Sequence, residues 1–216
     1  MRVPSPKEST ERLRQLSIYT AAQLQADAET KALAAPLDEE RKRMEQADVA
    51  LSAAEDSQVA QMALRDNADR NADGAVRDCY LDVRQADGSA GGKAGPKQQA
   101  YFRGGLTGIT LLSVPRQAGA MRVLAGQLAK DSDPAIAAHE APISAAADAL
   151  DAAVDAYEVA IQGVSVAYGQ VFAARGDWIR VYEKTYGELV VLVGKRAAEK
   201  YFKVPKRLPK APPVAG

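Results

Sequence analysis

The sequence predicts an all-α protein, an antiparallel helical bundle built from two duplicated long helical hairpins with coiled-coil-like packing. Three observations lead there. Alanine supplies about a fifth of the 216 residues, while aromatics supply 6%. Alanine is the strongest helix former because it loses no side-chain entropy in a helix. A stripe of apolar residues spaced alternately four and three apart runs from Ile143 onward, the repeat of coiled-coil-like packing. Finally, residues of the first half recur a little over a hundred positions later, as in a unit that buries its stripe only against a copy of itself.

Taken in order, Ser5-Pro6-Lys7-Glu8 carries the signs of a helix start. Ser5 can cap free N–H groups, Pro6 suits the first helical position, and Glu8 closes a capping box. The first helix is expected to reach about Ala35, with Leu13, Leu16, Thr20, Leu24 and Ala28 on one stripe. Pro36 breaks that run. Asp38, Glu39 and Glu40 then sit where acids favour the positive end of a helix dipole. A second helix is expected to about Gln85, turning Leu37, Met44, Leu51, Val76, Cys79 and Val83 inward. These two helices make the first hairpin, residues 1–86. Residues 87–99, rich in glycine, read as a flexible linker.

The second hairpin spans residues 100–203. Tyr101 to Val114 sets Tyr101, Phe102, Leu106, Ile109, Leu111 and Leu112 among glycines, and reads as a packed, partly irregular segment plugging the base of the bundle. Pro115 opens a third helix ending near Asp131. From Pro142 a fourth helix is expected to about Lys200, with Ile143, Ala147, Leu150, Val154, Tyr157, Ile161, Val164, Tyr168, Val171, Trp178, Tyr182, Leu189 and Leu192 on its stripe. Gly176 marks an expected bend. Residues 204–216 form a basic, proline-rich tail.

The internal repeat rests on specific residues. Gln23-Leu24, Asp27 and Ala34 recur 104 positions later as Gln127-Leu128, Asp131 and Ala138. Asp48, Ala50, Ala53 and Glu55 recur at a shift of 103 as Asp151, Ala153, Ala156 and Glu158. Pro36 and Pro142 open the two long helices alike. The hairpins then either form a four-helix bundle within one chain or pair with a second molecule. Through Met62-Ala63-Leu64-Arg65-Asp66-Asn67-Ala68-Asp69, the glycine-rich linker and Tyr101-Phe102-Arg103-Gly104-Gly105-Leu106, the chain resembles Ala-rich bacterial helical-hairpin proteins of uncharacterised function. That resemblance spans most of the chain and implies the helical fold. It brings no activity and no site residue.

For function, the totals exclude more than they assign. Lysine plus arginine and aspartate plus glutamate balance at 28 each, which argues against a general nucleic-acid or membrane-surface binder. No run approaches the roughly 20 apolar residues that span a bilayer. Cys79 is the only cysteine, so no intrachain disulfide forms, and Met1 to Lys7 lacks the apolar stretch of a signal peptide. A cytoplasmic protein is expected.

Each candidate for chemistry has a plainer structural explanation. His139 has Ile136 and Pro142 three residues to either side, so it lacks the Glu-x-x-His pairing of carboxylate-bridged bundles and reads as a turn residue. Cys79 lies on an apolar stripe with no base near it in sequence, and reads as a buried structural thiol. Asp66, Asp69, Asp73 and Asp78 with Arg65, Arg70 and Arg77 read as a solvated face, with Asp66–Arg70 and Asp73–Arg77 as i,i+4 ion pairs, rather than a cation site. Tyr157, Tyr168, Trp178, Tyr182 and Tyr186 supply bulk that alanine-rich partner helices lack. No catalytic residue, cofactor, metal site or small-molecule substrate is predicted.

Charge is unevenly spread. From Asp131 to Ala174 there are seven acids and no lysine or arginine, whereas Arg175 to the end holds ten basic residues and four acids. Lys203, Lys206, Arg207 and Lys210 in the tail are the candidate partner contacts. The reading is a non-enzymatic structural or protein-interaction bundle, working through a protein partner or self-association. The alternatives are peripheral anionic-membrane or nucleic-acid binding through the basic C-terminal end, and a small-ligand carrier or enzyme with a pocket in the bundle.

Overall fold

The computed structural model describes residues 3–88 and 94–202, and every regular element among them is a helix. In chain order these are α1 (Thr10–Gln25), a 3-10 turn (Lys31–Leu33), α2 (Ala34–Ala86), α3 (Pro96–Tyr101), α4 (Thr107–Thr110), α5 (Val114–Leu128), α6 (Pro134–Ala137), α7 (Glu140–Val193) and α8 (Lys195–Tyr201). The tail, including Lys203, Lys206, Arg207 and Lys210, lies outside the described residues. The start of α2 shares a core with the end of α7, and the end of α2 shares one with the start of α7. Two compact units result, Met1–Glu55 with Gly163–Gly216 and Asp56–Gln162. They cut across the hairpins 1–86 and 100–203 read from the sequence, because each long helix contributes one end to each unit.

In the first unit α1 begins four residues later than its sequence signs suggest. Ser9 is the cap, its Oγ accepting from the Arg12 backbone N–H at 3.3 Å. Ser5 and Glu8 do bond reciprocally, with Glu8 N–H to Ser5 O at 2.9 Å and Ser5 N–H to Glu8 Oε1 at 3.4 Å, but they close an isolated turn. The apolar stripe that holds a helix down starts only at Thr10 and Leu13. The helix stops at Gln25, well before Ala35. Buried Thr30 donates from Oγ1 to the Leu24 carbonyl at 2.8 Å, satisfying an end group that a longer helix would have used. Ala28 is left exposed. Pro36 lies within the first turn of α2, where a missing N–H costs nothing.

The core of this unit joins Leu13, Leu16 and Leu24 of α1 to Leu37 and Met44 of α2 and to Trp178, Tyr182 and Leu189 of α7. Trp178 and Tyr182 stack with centroids 4.9 Å apart. The Trp178 indole N–H finds no acceptor among the described residues, a cost of about 1–3 kcal/mol for a buried donor. Polar bonds align the three helices. The Arg175 guanidinium donates to Thr10 Oγ1 at 2.7 and 3.1 Å, and that hydroxyl donates to Asp48 at 2.9 Å.

In the second unit Ala72, Val76, Cys79 and Val83 of α2 meet Met121, Leu124 and Leu128 of α5 and Ile143, Ala147 and Leu150 of α7. Gln117, almost fully buried, donates to Asp73 at 2.8 Å, and Arg122 reaches Asp148 at 2.9 Å and Asp151 at 2.6 Å. Helix α3 starts inside the expected linker. Asp87 accepts from the backbone N–H groups of Lys97 at 3.1 Å and Gln98 at 2.8 Å, capping a helix whose own N-cap is a glycine. Phe102 and Ile109 pack into the core as expected of residues 101–114, but Leu111 is 79% exposed and plugs nothing.

Two expectations for the last helix change. α7 runs unbroken past Gly176 and stops at Gly194, whose φ of 80° and ψ of 154° only glycine adopts readily. Along its stripe, Ile143, Ala147, Leu150, Val171, Trp178, Tyr182 and Leu189 are buried, whereas Ile161, Tyr168 and Leu192 are exposed. The same lapse affects α2, where no residue between Met44 and Ala72 is buried, Leu51 included. The apolar period continues there without a third helix to cover it. Gly194→Ala is expected to cost about 1–3 kcal/mol, because its Cβ disfavours this backbone region, and urea denaturation of the full chain measures it.

Candidate functional site

The residues singled out for chemistry are placed as follows. Cys79 is fully buried, and burial, reinforced by the Asp82 charge, pushes its thiol up to about 12. It stays protonated and is a poor nucleophile. His139 Nε2 lies 2.8 Å from Asp82. In the charged stretch of α2, Asp66 bonds Arg65 at 2.7 Å rather than Arg70, and Asp73 takes the Gln117 amide rather than Arg77. Neighbouring positions and the incoming α5 offer shorter reaches than an i+4 partner does. Asp69 is pushed up by burial and by the charges of Asp73 and Asp66. Among the described residues no three or more His, Cys, Asp or Glu side chains come together as a metal site. An open groove of about 440 Å³ beside α3 and α5 is lined by Tyr101, Ile109, Ala120, Val123 and Leu124, with Arg103 its one charged group.

A feature absent from the sequence reading closes each unit. In the second unit, Tyr101 at the end of α3 donates to Asp131 Oδ2 at 2.6 Å, while Lys97 Nζ holds Oδ1 at 2.7 Å. Asp131 also accepts the Asp133 backbone N–H at 2.8 Å. Lys97 first, then Tyr101, hold the Asp131 carboxyl down at about 2. Burial, and then the bond to Asp131, push Tyr101 up to about 12. The next residue, Phe102, meets the Tyr80 ring edge-to-face at 5.1 Å. In the first unit, Tyr201 at the end of α8 donates to Asp27 at 3.1 Å, and the bond to that carboxylate pushes the phenol up. Phe202 meets Tyr182 at 4.8 Å and Tyr186 at 5.3 Å, both edge-to-face. These are fastenings for the ends of short helices. The tyrosines are held neutral and Asp131 ionised, the reverse of groups poised for proton transfer.

The middle of α7 is different in character. From Val159 to Ala174 no residue is charged, yet Val159, Ile161, Val166, Tyr168 and Phe172 are between 42% and 67% exposed. Val59, Met62 and Leu64 are likewise exposed in the middle of α2. On α7 they fall on two sides of the helix, Val159 and Val166 on one and Ile161, Tyr168 and Phe172 on the other. Of these, the stripe read from the sequence contained Ile161 and Tyr168, which its period assigned to the core. No helix among the described residues is long and apolar enough to cross a membrane. Comparison with protein-family models, with curated proteins and with solved structures finds no match to this chain.

The Asp131 clasp carries a pH dependence. Its folded pKa lies below the ordinary value, so the stability it contributes is present above pH 3.8 and is lost as pH falls toward about 2. Tyr101, raised in the fold, contributes below pH 10 and loses that contribution between about 10 and 12. Asp131→Asn is expected to be less stable than the parent at neutral pH and to lose less of its stability between pH 4 and 2. Denaturant titrations followed by circular dichroism at each pH check both.

Proposed function

We propose that this chain is a non-enzymatic helical scaffold, formed by internal duplication, that acts by protein–protein interaction along the middle of its long helices. The observation that carries the reading is the uncharged stretch Val159–Ala174, with its exposed Val159, Ile161, Val166, Tyr168 and Phe172. The groups that could serve catalysis have structural employment instead: Cys79 in the core, Tyr101 and Tyr201 in clasps, His139 beside Asp82.

Burial supports the duplication better than residue identity does. Leu13, Ser17, Thr20, Ala21 and Leu24 of α1 are buried, and so are Gln117, Met121, Leu124, Ala125 and Leu128 of α5, each 104 positions on. In the long helices, Leu37, Met44, Ala72, Val76, Cys79 and Val83 correspond at a shift of 106 to Ile143, Leu150, Trp178, Tyr182, Thr185 and Leu189, all buried. The identities noted at 103 differ from this register by three residues, close to one helical turn, which keeps the same face. Tyr80 and Tyr186, also 106 apart, each receive a phenylalanine ring. The Tyr-Phe pairs 101–102 and 201–202 end corresponding short helices. With α3 counted as the end of the first half, rather than at the start of the second as the hairpin 100–203 has it, each fastens to the aspartate that follows the other half's opening helix, Asp131 and Asp27. On this reading the two halves interlock by exchanging their closing elements.

Replacing Tyr168 and Phe172 together by glutamate is expected to abolish capture of a specific protein partner from source-cell extract while leaving helix content unchanged. A parallel chain ending at Phe202 reports what the basic tail adds. If the parent chain retains nothing above background, the interaction reading is wrong.

A further inference from the structure

Helix α7 ends in five consecutive aliphatic residues, Leu189 to Val193. A helix packed on one side needs only some of them. Leu189 is buried, and Val190 and Val193 pack against the same core. Val191 and Leu192 point elsewhere, and they are 86% and 56% exposed. Single exposed aliphatic residues are ordinary on a protein surface, so their neighbours decide what these two mean. Gly194 turns the chain at a φ of 80°, and α8 then opens with Lys195 and Arg196.

Helix α8 has two unlike faces. Ala198 and Phe202 enter the core, and Tyr201 fastens to Asp27. Arg196 and Lys200, four apart, share the opposite face, and both are exposed, as is Lys195. Neither an ion pair nor a side-chain hydrogen bond joins these three cations to another described residue. An open groove of about 590 Å³ is lined by Val193, Gly194, Lys195, Arg196, Ala197 and Lys200, with no acid among them. The sequence carries the charge further. From Lys195 to Lys210 it holds seven basic residues and one acid, Glu199, the last four of the basic ones outside the described residues. A chain balanced at 28 against 28 therefore has one strongly cationic end, and that end adjoins exposed aliphatic side chains.

We propose that the junction of α7 and α8 docks on an anionic lipid bilayer, with Val191 and Leu192 entering the headgroup layer and Lys195, Arg196 and Lys200 facing the lipid phosphates and carboxylates. The charge complementarity is direct. Each lysine or arginine near such a surface strengthens binding about fivefold, and long basic side chains reach headgroups while their charged ends stay hydrated. Aliphatic side chains gain by leaving water in the same contact. A nucleic acid offers the negative charge but no apolar layer to receive Val191 and Leu192. No helix among the described residues is long and apolar enough to cross a membrane, so the contact is peripheral. It uses neither Tyr168 nor Phe172 and stands apart from the interaction reading above.

Co-sedimentation of the full chain with vesicles tests the proposal. Phosphatidylcholine vesicles with phosphatidylserine as about one lipid in three are expected to carry the chain down, and phosphatidylcholine alone is not. Raising the salt from about 0.1 M to about 1 M, which shortens the screening length from roughly 10 Å to roughly 3 Å, is expected to release it. Arg196→Glu with Lys200→Glu is expected to weaken binding by at least about tenfold, with helix content unchanged. Val191→Ser with Leu192→Ser is expected to weaken it by at least about fivefold. A solvent-sensitive dye on Val191→Cys is expected to shift to the blue when the serine-lipid vesicles are added. The same dye on Val49→Cys, 70% exposed in the same unit, is not, and buried Cys79 escapes labelling. Should a charge variant fail to fold, this pair still decides. A chain that stays in solution with phosphatidylserine vesicles at about 0.1 M salt overturns the proposal. So does equal binding to phosphatidylcholine alone, binding that either double variant leaves unchanged, or a dye shift as large at position 49 as at 191. A chain that ignores vesicles but retards duplex DNA at the same salt is a nucleic-acid binder, which overturns it too.

Discussion

Alanine-rich helices bury little surface per residue, and at about 25 cal/mol per Å² an alanine face against one partner helix stabilises weakly. Wherever this chain has a buried core, a third element supplies the missing area. In one unit it is α1 with Phe202, and in the other α5 with Phe102. Where α1 and α5 do not reach, burial lapses, and no residue of α2 between Met44 and Ala72 is buried. The short helices therefore decide where the long ones are held. The Tyr–Asp clasps matter out of proportion to their size, because they fix the aromatic closers α3 and α8 provide.

That dependence explains what was legible in the sequence. Leu13, Leu16, Thr20 and Leu24 on α1, Leu37, Met44, Val76, Cys79 and Val83 on α2, and Ile143, Leu150, Trp178 and Tyr182 on α7 were all identifiable from spacing, and all are buried. Ile161 and Tyr168 have the same spacing and are exposed. A heptad period is a local property of one helix, whereas burial depends on where distant short helices end. Asp27 and Tyr201 lie 174 residues apart, so no spacing rule links them. The helix ends failed for a smaller reason. Ser5 looks like a cap, but it is Ser9 that is followed at once by residues with a core to enter. Gly176 looks like a bend, but Trp178 and Ile179 anchor the helix just past it, and the break falls at Gly194 instead.

In a chain that is 26% charged, a solvent-facing helix normally carries ions, which keep it soluble and specify against unwanted contacts. The stretch from Val159 to Ala174 has given up that protection along with the helix propensity that alanine would have provided at two glycines. Both concessions disfavour an isolated helix in water.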